Sequence, residues 1–521
     1  MAALSIADRR LAGVVVPLFS FRTASDWGVG ELTALAEAAP MLERGGFSVL
    51  MTLPLLEPSL GQESPYSPLS AFAIDPLYVS LDACEELVAL GGRAALAARD
   101  VKAIERARAS FAVRHDIVRP LKMRWLARCA EHFETSASAE RKAGFERFRT
   151  EHAHWLADYA LFRALKDRHP AGWREWPEPL ARFDAEAIAS ARVEHAARIR
   201  ALEYIQFVAF GQLAASHEAL TARGIALGGD EPFLCAADSA DVWSRQDLYR
   251  VDATAGAPPD AFSATGQNWG LPPYDWDRVA AEDYRLFGAR ARHAARHFDL
   301  TRIDHVVGLY RTFQWPLDGR PGEFVPAQQD AQLAQGEAVL RTFMSGGLAL
   351  IAEDLGVIPD FVRESLDRLA IPGFRVLRWE ERDGRFRVPS EWPVVSVATN
   401  GTHDTETSAV WWETLDSYTK DKLRAVPELG ELDRETSSAY GEHVHDALLR
   451  AIYGAPSRLA IVVAQDVFGL RARINVPSTV GPHNWSWRLP WSLESMLEED
   501  HVRGRLDEVR ALAERTGRRG G

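Results

Sequence analysis

Residues 300–305 read LTRIDH and residues 349–354 read ALIAED, so each segment is a short apolar run that ends in charged residues. Runs that are apolar throughout, rather than alternating with polar residues, are typical of parallel strands buried on both faces. Eight such runs occur along the chain: Gly13–Leu18, Ser48–Leu53, Ile225–Gly228, Leu300–Asp304, Ala349–Glu353, Gly373–Leu377, Val394–Ala398 and Leu459–Val463. Helical patterns often follow them, and repeated strand-then-helix units predict an α/β fold of the (β/α)₈ TIM barrel type.

The spacing of the runs is uneven. The long segment from Asp82 to Leu220 separates the second run from the third, and its Ala, Arg, Glu and Leu pattern is helical. We therefore expect one catalytic barrel over residues 1–521, with a large helical insertion at residues 82–220 between strands 2 and 3. The segment at residues 256–276 is rich in Pro, Gly and aromatic residues, which predicts an ordered surface loop over the active site.

Composition excludes several classes of protein. The chain has 60 basic and 73 acidic side chains, a formal charge of −13, which argues against nucleic acid as a partner. No run of about 18 apolar residues predicts a membrane span, and no apolar segment near the start predicts a signal peptide. Cys84, Cys129 and Cys235 form no CxxC pair, so we expect reduced thiols and a cytoplasmic protein.

Charged residues at the ends of the predicted strands indicate where the chemistry lies, because barrel active sites lie at the carboxyl ends of the strands. The fourth run ends with Arg302, Asp304 and His305, the fifth with Glu353 and Asp354, and the seventh leads to His403 and Asp404. Three carboxylates from three strands, Asp304, Glu353 and Asp404, are therefore expected at one mouth.

Two of these carboxylates suit glycoside cleavage with retention, which needs two carboxyl groups about 5 Å apart. Asp304 would attack the anomeric carbon, while Glu353 would protonate the leaving oxygen and later deprotonate the acceptor. Arg302 lies two residues before Asp304 and faces the same side of the strand, so its charge would keep Asp304 ionised. A drier pocket would let Glu353 hold its proton, and Asp404 would grip sugar hydroxyls.

Simpler interpretations exist for each motif. RIDH alone is compatible with a surface ion pair, and Glu353-Asp354 with a helix N-cap. His305, His403 and Asp404 are of residue types that bind metals, but no HExxH motif or Cys cluster accompanies them. No glycine-rich phosphate loop is present. We therefore predict no metal and no cofactor, since two carboxyl groups suffice for the chemistry.

Longer motifs give the chain a family resemblance that runs nearly end to end. They are SDWGVGEL (25–32), ESPYSPLSAFAIDPLYV (63–79), WLADYALFRALK with WREWP (155–177), GDEPFLCAADSADVW (229–243), GAPPDAFSATGQNWGLPPYDW (256–276), QDVFGL (465–470), RINVPST (473–479) and NWSWRL (484–489). With RIDH, AEDLGVI and GTHD, they make the chain resemble the 4-α-glucanotransferases of the amylomaltase (disproportionating enzyme) family, within the α-amylase clan.

The resemblance implies a role for each site residue. Asp304 falls on the nucleophile, Glu353 on the acid/base and Asp404 on the third carboxylate. The implied substrate-binding residues are Arg302, His305 and His403 around the glucose at the cleavage point, Tyr66 stacked on it, Asp260 and Trp269 from the overhanging loop, and Asn484 from the last segment. The implied substrates are α-1,4-glucans or maltooligosaccharides, from which a segment passes to the 4-OH of an acceptor. We expect a monomer or weak homo-oligomer.

Some positions depart from the family pattern. Val306 and Val307 replace an aromatic residue and an arginine, Ala261 replaces a tyrosine, and Thr405 stands where asparagine is common. These positions bear on donor length and on the ratio of transfer to hydrolysis. Two rival hypotheses stay open: a hydrolase with the same chemistry, and a glucan-binding protein without catalysis. Maltotriose separates transfer from hydrolysis, because only transfer gives longer oligomers.

Overall fold

The computed structural model describes residues 9–259 and 266–518, which form a closed barrel of eight parallel strands. The barrel strands are β1 Leu11–Val15, β2 Val49–Met51, β3 Ala226–Glu231, β4 Leu300–Ile303, β5 Ala349–Ala352, β6 Gly373–Val376, β7 Ser396–Thr399 and β8 Leu459–Val463. Each strand pairs with the next one along the chain, and β8 pairs with β1. The predicted barrel is confirmed, with one strand at every predicted run.

Apolar side chains fill the interior of the barrel below its mouth. One cluster lies inside the strands: Leu11, Val49, Met51, Ala226, Leu300, Ile351, Val397, Leu459 and Ile461. A larger cluster fills the space between the strands and the surrounding helices. Both faces of every strand are thus covered, which explains why the strands read as continuous apolar runs.

Helices surround the barrel on its outer side. Outside the insertion they are Thr33–Glu37, Ala39–Arg44, Ala240–Ser244, Trp276–Ala281, Arg285–Ala294, Val307–Tyr310, Gln329–Ser345, Asp360–Arg368, Ser408–Thr414, Ser417–Leu423, Pro427–Gly430, Glu442–Gly454, Ala464–Val467, Leu493–Met496 and Asp500–Arg515. In the part of the chain that the structure covers, none of the helices combines the length and the apolar character that a bilayer crossing requires.

The predicted helical insertion between β2 and β3 is present. Its helices are Glu85–Ala89, Ala98–Arg108, His115–Ser136, Ala139–Glu151, Leu156–Arg168, Glu178–Ala181, Ala185–Glu194 and Ala196–Thr221. Buried polar contacts join it to the barrel: Lys122 donates to Glu31 at 2.7 Å, and Arg119 forms two hydrogen bonds of 2.7 and 2.9 Å with Asp75. Asp75 lies in the segment after β2 that also carries Tyr66. These contacts with the insertion therefore fix the position of one wall of the barrel mouth. The division of residues 1–521 into a barrel with a subdomain at 82–220 stays a prediction.

A small antiparallel sheet lies beside the mouth. Its strands are Ala253–Ala257, Gln267–Asn268, Thr312–Pro316 and Glu323–Val325. Part of the predicted 256–276 loop belongs to this sheet, because Gly256 pairs with Asn268 and Ala257 with Gln267. Trp269 follows directly and is tied down by a backbone hydrogen bond from its N–H to Ala255 at 3.0 Å.

Candidate active site

Arg302 lies at the centre of the site, between two carboxylates from neighbouring strands. The β3–β4 register sets Asp230 opposite Arg302, and Nη1 of Arg302 donates to both Asp230 oxygens at 2.8 and 3.0 Å. The same Nη1 lies 2.9 Å from Oδ1 of Asp304. Burial opposes the charge of the guanidinium, but the two carboxylates outweigh it and raise the pKa of Arg302 well above its usual value. One fixed cation thus contacts both carboxylates.

Asp304 is the more accessible of those two carboxylates. Its side chain is 24% exposed, whereas that of Asp230 is 2% exposed. Burial raises the pKa of Asp230 to about 7 against the opposing influence of Arg302, and Tyr66 donates to it at 2.7 Å. Asp230 is therefore confined to a structural contact, while Asp304 keeps a face toward the mouth.

Glu353 follows β5, the strand that pairs with β4 on its other side. The register sets Ile303 opposite Ala352, and the backbone N–H of Glu353 donates to Ile303 at 3.0 Å. Its carboxylate accepts from the N–H groups of His305 at 2.8 Å and Leu355 at 3.1 Å. Burial raises the pKa of Glu353 to about 7; Arg302 opposes the rise, as do the two N–H donors, and the Asp304 charge adds to it. The carboxyl can therefore hold or release a proton near neutral pH.

His305 explains how Glu353 and Asp304 come to be neighbours. Its φ is +46°, a left-handed conformation that few non-glycine residues adopt and that often marks a functional site. This turn directs the His305 N–H at Glu353 immediately after Asp304. The imidazole packs edge-on against Trp269, with ring centroids 4.8 Å apart, and against Phe233 at 5.6 Å. Burial lowers the pKa of His305 to about 4, so the ring is neutral.

An aromatic wall stands beside Arg302, whose guanidinium carbon lies 5.9 Å from the centre of the Tyr66 ring. The rings of Tyr66 and His403 are stacked, 5.2 Å apart and 10° from parallel. Trp485 leans against both, at 5.7 Å from Tyr66 and 5.9 Å from His403. Burial lowers the pKa of His403, so this ring is also neutral. Flat apolar faces of this kind suit the faces of a pyranose ring.

Asp404 lies just beyond this wall. Its side chain is 44% exposed; Nδ2 of Asn475 donates to it at 2.7 Å, and Nε2 of His403 is 3.5 Å away. The tight turn that carries it is closed by Thr405, whose hydroxyl accepts from the N–H of Thr402 at 3.1 Å and donates to its carbonyl at 3.0 Å. Thr405 thus shapes this loop from within.

Two of the predicted substrate-binding residues do not join this set. Asn484 is 2% exposed, and its amide accepts from the Val476 N–H at 2.9 Å and donates to the Thr479 carbonyl at 2.9 Å. Its amide thus closes a loop, and the expectation that Asn484 contacts sugar stays a prediction. Asp260 lies outside the described residues.

Sequence reasoning missed four residues of the mouth. They are Asp230 at the end of β3, Asn475 beside Asp404, Trp485 in the aromatic wall, and Trp379, which follows β6 and is 52% exposed. Asp230 could be predicted as a site residue from the sequence, because it lies at the end of a strand as Asp304 does. The prediction stopped that strand at Gly228, three residues short of its end at Glu231.

Across residues 9–259 and 266–518, no three His, Cys, Asp or Glu side chains come together as a set that could hold a metal ion. The neutral His305 ring packs against Trp269 and Phe233 rather than joining His403 and Asp404.

Known proteins resemble this chain along nearly its whole length. The chain is 30% identical over 517 residues to a 4-alpha-glucanotransferase of Chlamydia pneumoniae, covering 95% of this chain and 94% of the relative. It is 32% identical over 510 residues to that of Thermus thermophilus, covering 94% and 96%. The fold matches an amylomaltase from Streptococcus agalactiae, solved in complex with acarbose, with a TM-score of 0.81, 26% identity and coverage of 96% and 98%. The sequence model described as 4-alpha-glucanotransferase matches residues 16–494, and the chain belongs to this family.

Proposed function

We propose that this chain transfers segments of α-1,4-glucans to the 4-OH of an acceptor glucose or glucan by a retaining double displacement. The observation that carries the proposal is the arrangement around Arg302. An accessible carboxylate, Asp304, is held by a buried cation, and the adjacent strand brings in Glu353 with a pKa raised to about 7. One group is thus accessible for attack, while the other can hold a proton near neutral pH.

In the first step Asp304 attacks the anomeric carbon. The new bond joins that carbon to a carboxylate oxygen, and the glycosidic C1–O4′ bond breaks. Glu353 gives its proton to the departing O4′, so the leaving chain departs as an alcohol. Loss of that proton leaves Glu353 as a carboxylate, which the N–H groups of His305 and Leu355 stabilise at 2.8 and 3.1 Å.

In the second step the same groups act in reverse. The 4-OH of an acceptor glucan gives its proton to Glu353 and attacks the anomeric carbon, and the ester bond to Asp304 breaks. Two inversions at one carbon retain the α configuration. Arg302 balances the charge that returns to Asp304, and it does so without moving, since Asp230 anchors it from the other side.

The other residues bind sugar. Tyr66 and His403 offer a stacked, neutral wall to the glucose at the cleavage point, and Asp404 offers an exposed carboxylate to its hydroxyls. Trp269 and His305, whose rings pack edge-on at 4.8 Å, present further aromatic surface. An acceptor sugar held there competes with water through orientation, because a bound nucleophile has a large effective concentration.

The proposal also covers the cellular compartment and the oligomeric state of the enzyme. We place the enzyme in the cytoplasm, which fits three buried cysteines that form no disulfide. We expect it to act as a monomer or weak homo-oligomer.

Maltotriose tests the reaction. Transfer predicts glucose together with longer maltooligosaccharides, and newly formed bonds that are all α by NMR. Asp304→Asn should abolish both products in a folded protein, while Asp318→Asn, which changes an exposed acid paired with Arg320, should not. Formation of maltose and glucose alone would identify a hydrolase. Binding of maltotriose without any products would identify a glucan-binding protein.

A further inference from the structure

A second cavity opens on the same face of the barrel as the carboxylates. Its volume is about 530 Å³, in the range of small-molecule binding sites. It is lined by Arg311, Gln329, Gln332, Asp360, Phe361 and Glu364, among others. Arg311 follows the turn after β4, and helices Gln329–Ser345 and Asp360–Arg368 both begin here. Each of these helices runs from the carboxyl-terminal face of the barrel to the opposite end, where the next strand starts.

The walls of this cavity are fixed to one another. The Tyr310 hydroxyl donates to Ser365 at 2.9 Å, which joins the turn after β4 to helix Asp360–Arg368. The Gln335 amide donates to the Leu309 carbonyl at 2.9 Å, which joins the same turn to helix Gln329–Ser345. Because the turn starts two residues after His305, the cavity and the carboxylates share one rigid support.

Arg311 is half-buried and has no carboxylate partner among the described residues. Its guanidinium carbon lies 4.1 Å from the centre of the Phe324 ring, and its Nε is buried without a hydrogen-bond acceptor. Within residues 9–259 and 266–518, no carboxylate lies within 4.0 Å of it. By contrast, Arg302 and Arg290 each bind a carboxylate at 2.8–2.9 Å. Arg311 therefore presents hydrogen-bond donors to whatever enters the cavity.

The remaining lining decides what kind of ligand fits. Asp360 and Glu364 bring two negative charges against the single positive charge of Arg311, so a phosphate group would be repelled. The carboxylates accept hydrogen bonds, the guanidinium donates them, and the side chain of Gln329 does both. Phe361 adds an aromatic ring, which itself packs edge-on against Tyr310 at 6.3 Å. A neutral ligand with many hydroxyl groups meets these conditions.

We propose that this cavity is a second binding site for α-1,4-glucan chains, separate from the groups that surround the scissile bond. The proposal rests on the function proposed above, and it adds that long glucans gain contacts that short ones lack. A chain bound at the carboxylates and continuing past the turn after β4 would reach Arg311. The site would thereby favour long chains as substrates.

Kinetics on chains of different length test this site. Arg311→Ala combined with Gln329→Ala should raise KM for amylose about tenfold, the effect of one charge-assisted hydrogen bond. The kcat value and the KM for maltotriose should stay unchanged. Arg341→Ala is the matched control, since Arg341 lies on the same helix as Gln329, is 63% exposed and pairs with Glu337. Equal KM values for amylose in the double variant and the wild type would overturn the proposal.

Direct binding separates this proposal from the catalytic one. Calorimetry with maltoheptaose on Asp304→Asn should detect two sites, and adding Arg311→Ala and Glu364→Ala should remove one of them. Glu364 is exposed, so its loss should leave the melting temperature unchanged. If the enzyme showed no transfer but this binding difference persisted, only the catalytic proposal would fail. A single site in both proteins, or binding of inorganic phosphate in place of glucan, would overturn the second site.

Discussion

Replacing Glu353 with glutamine should abolish a pH dependence of stability as well as activity. Burial raises the pKa of Glu353 from 4.5 to about 7. Folding therefore favours the protonated form, and the stability that this group contributes is full below pH 4.5 and is lost as the pH rises to about 7. Glutamine carries no charge at any pH, so the variant should not lose stability over this interval.

The size of the effect follows from the shift. The pKa rises by about 2.5, and at about 1.36 kcal/mol for each pKa unit this changes the free energy of unfolding by about 3 kcal/mol. This is an upper value, because the Glu353 side chain is only half-buried. Glutamine also gives up one of two contacts, since its amide nitrogen cannot accept from the N–H of His305 or Leu355. That loss costs about 1–3 kcal/mol at every pH, so it shifts the whole curve without changing its slope.

Calorimetry at a series of pH values measures the difference. A chain of 521 residues has an unfolding entropy of about 1.1 kcal/mol/K, so 3 kcal/mol corresponds to about 3 °C. The Tm of Glu353→Gln minus that of the wild type should rise by up to about 3 °C between pH 4.5 and 8. A flat difference would mean that Glu353 ionises normally and cannot be the proton donor near neutral pH.

Three further predictions concern the surroundings of the site. Asn484→Ala should leave the Val476 N–H unpaired and lower kcat for transfer more than Asn484→Asp does, since aspartate still accepts that hydrogen bond; equal kcat values would show that the loop does not position the site. Trp269→Ala should lower transfer more than hydrolysis, because it weakens the binding of an acceptor sugar and not that of water; the ratio of reducing ends to rearranged oligomers measures this. Incubation with EDTA should leave activity unchanged, and a loss restored only by added metal would refute the carboxyl-only chemistry.

Most of the fold was predictable because buried parallel strands are apolar along their whole length. Where polar residues enter a strand, the signal fails. The third predicted strand ended at Gly228, whereas β3 continues through Asp230 to Glu231. Asp230 is tolerated there because Arg302 from the next strand binds it, and Arg290 likewise binds Glu231 at 2.9 Å. Such pairing depends on the register between strands, which one strand's sequence does not contain.

The site was predictable to the extent that it lies at strand ends. Asp304 and Glu353 follow directly from β4 and β5, so their convergence needed only the barrel geometry. Asn475 and Asn484 lie in a loop far from any strand end, and the sequence analysis named only Asn484. Their directions depend on left-handed turns at Ser478 and Trp485, with φ of +60° and +53°. Neither serine nor tryptophan is a residue type that predicts a left-handed conformation.

The pairing of β8 with β1 has a consequence for synthesis on the ribosome. Leu459 lies opposite Leu11, so the last seam of the barrel joins segments from opposite ends of the chain. Asp304 and Glu353 emerge long before that seam can form. Until then β1 and the growing edge of the sheet keep unpaired N–H and C=O groups, which invite contacts with other chains. Nascent chains therefore carry both carboxyl groups yet need protection from aggregation until their final strand arrives.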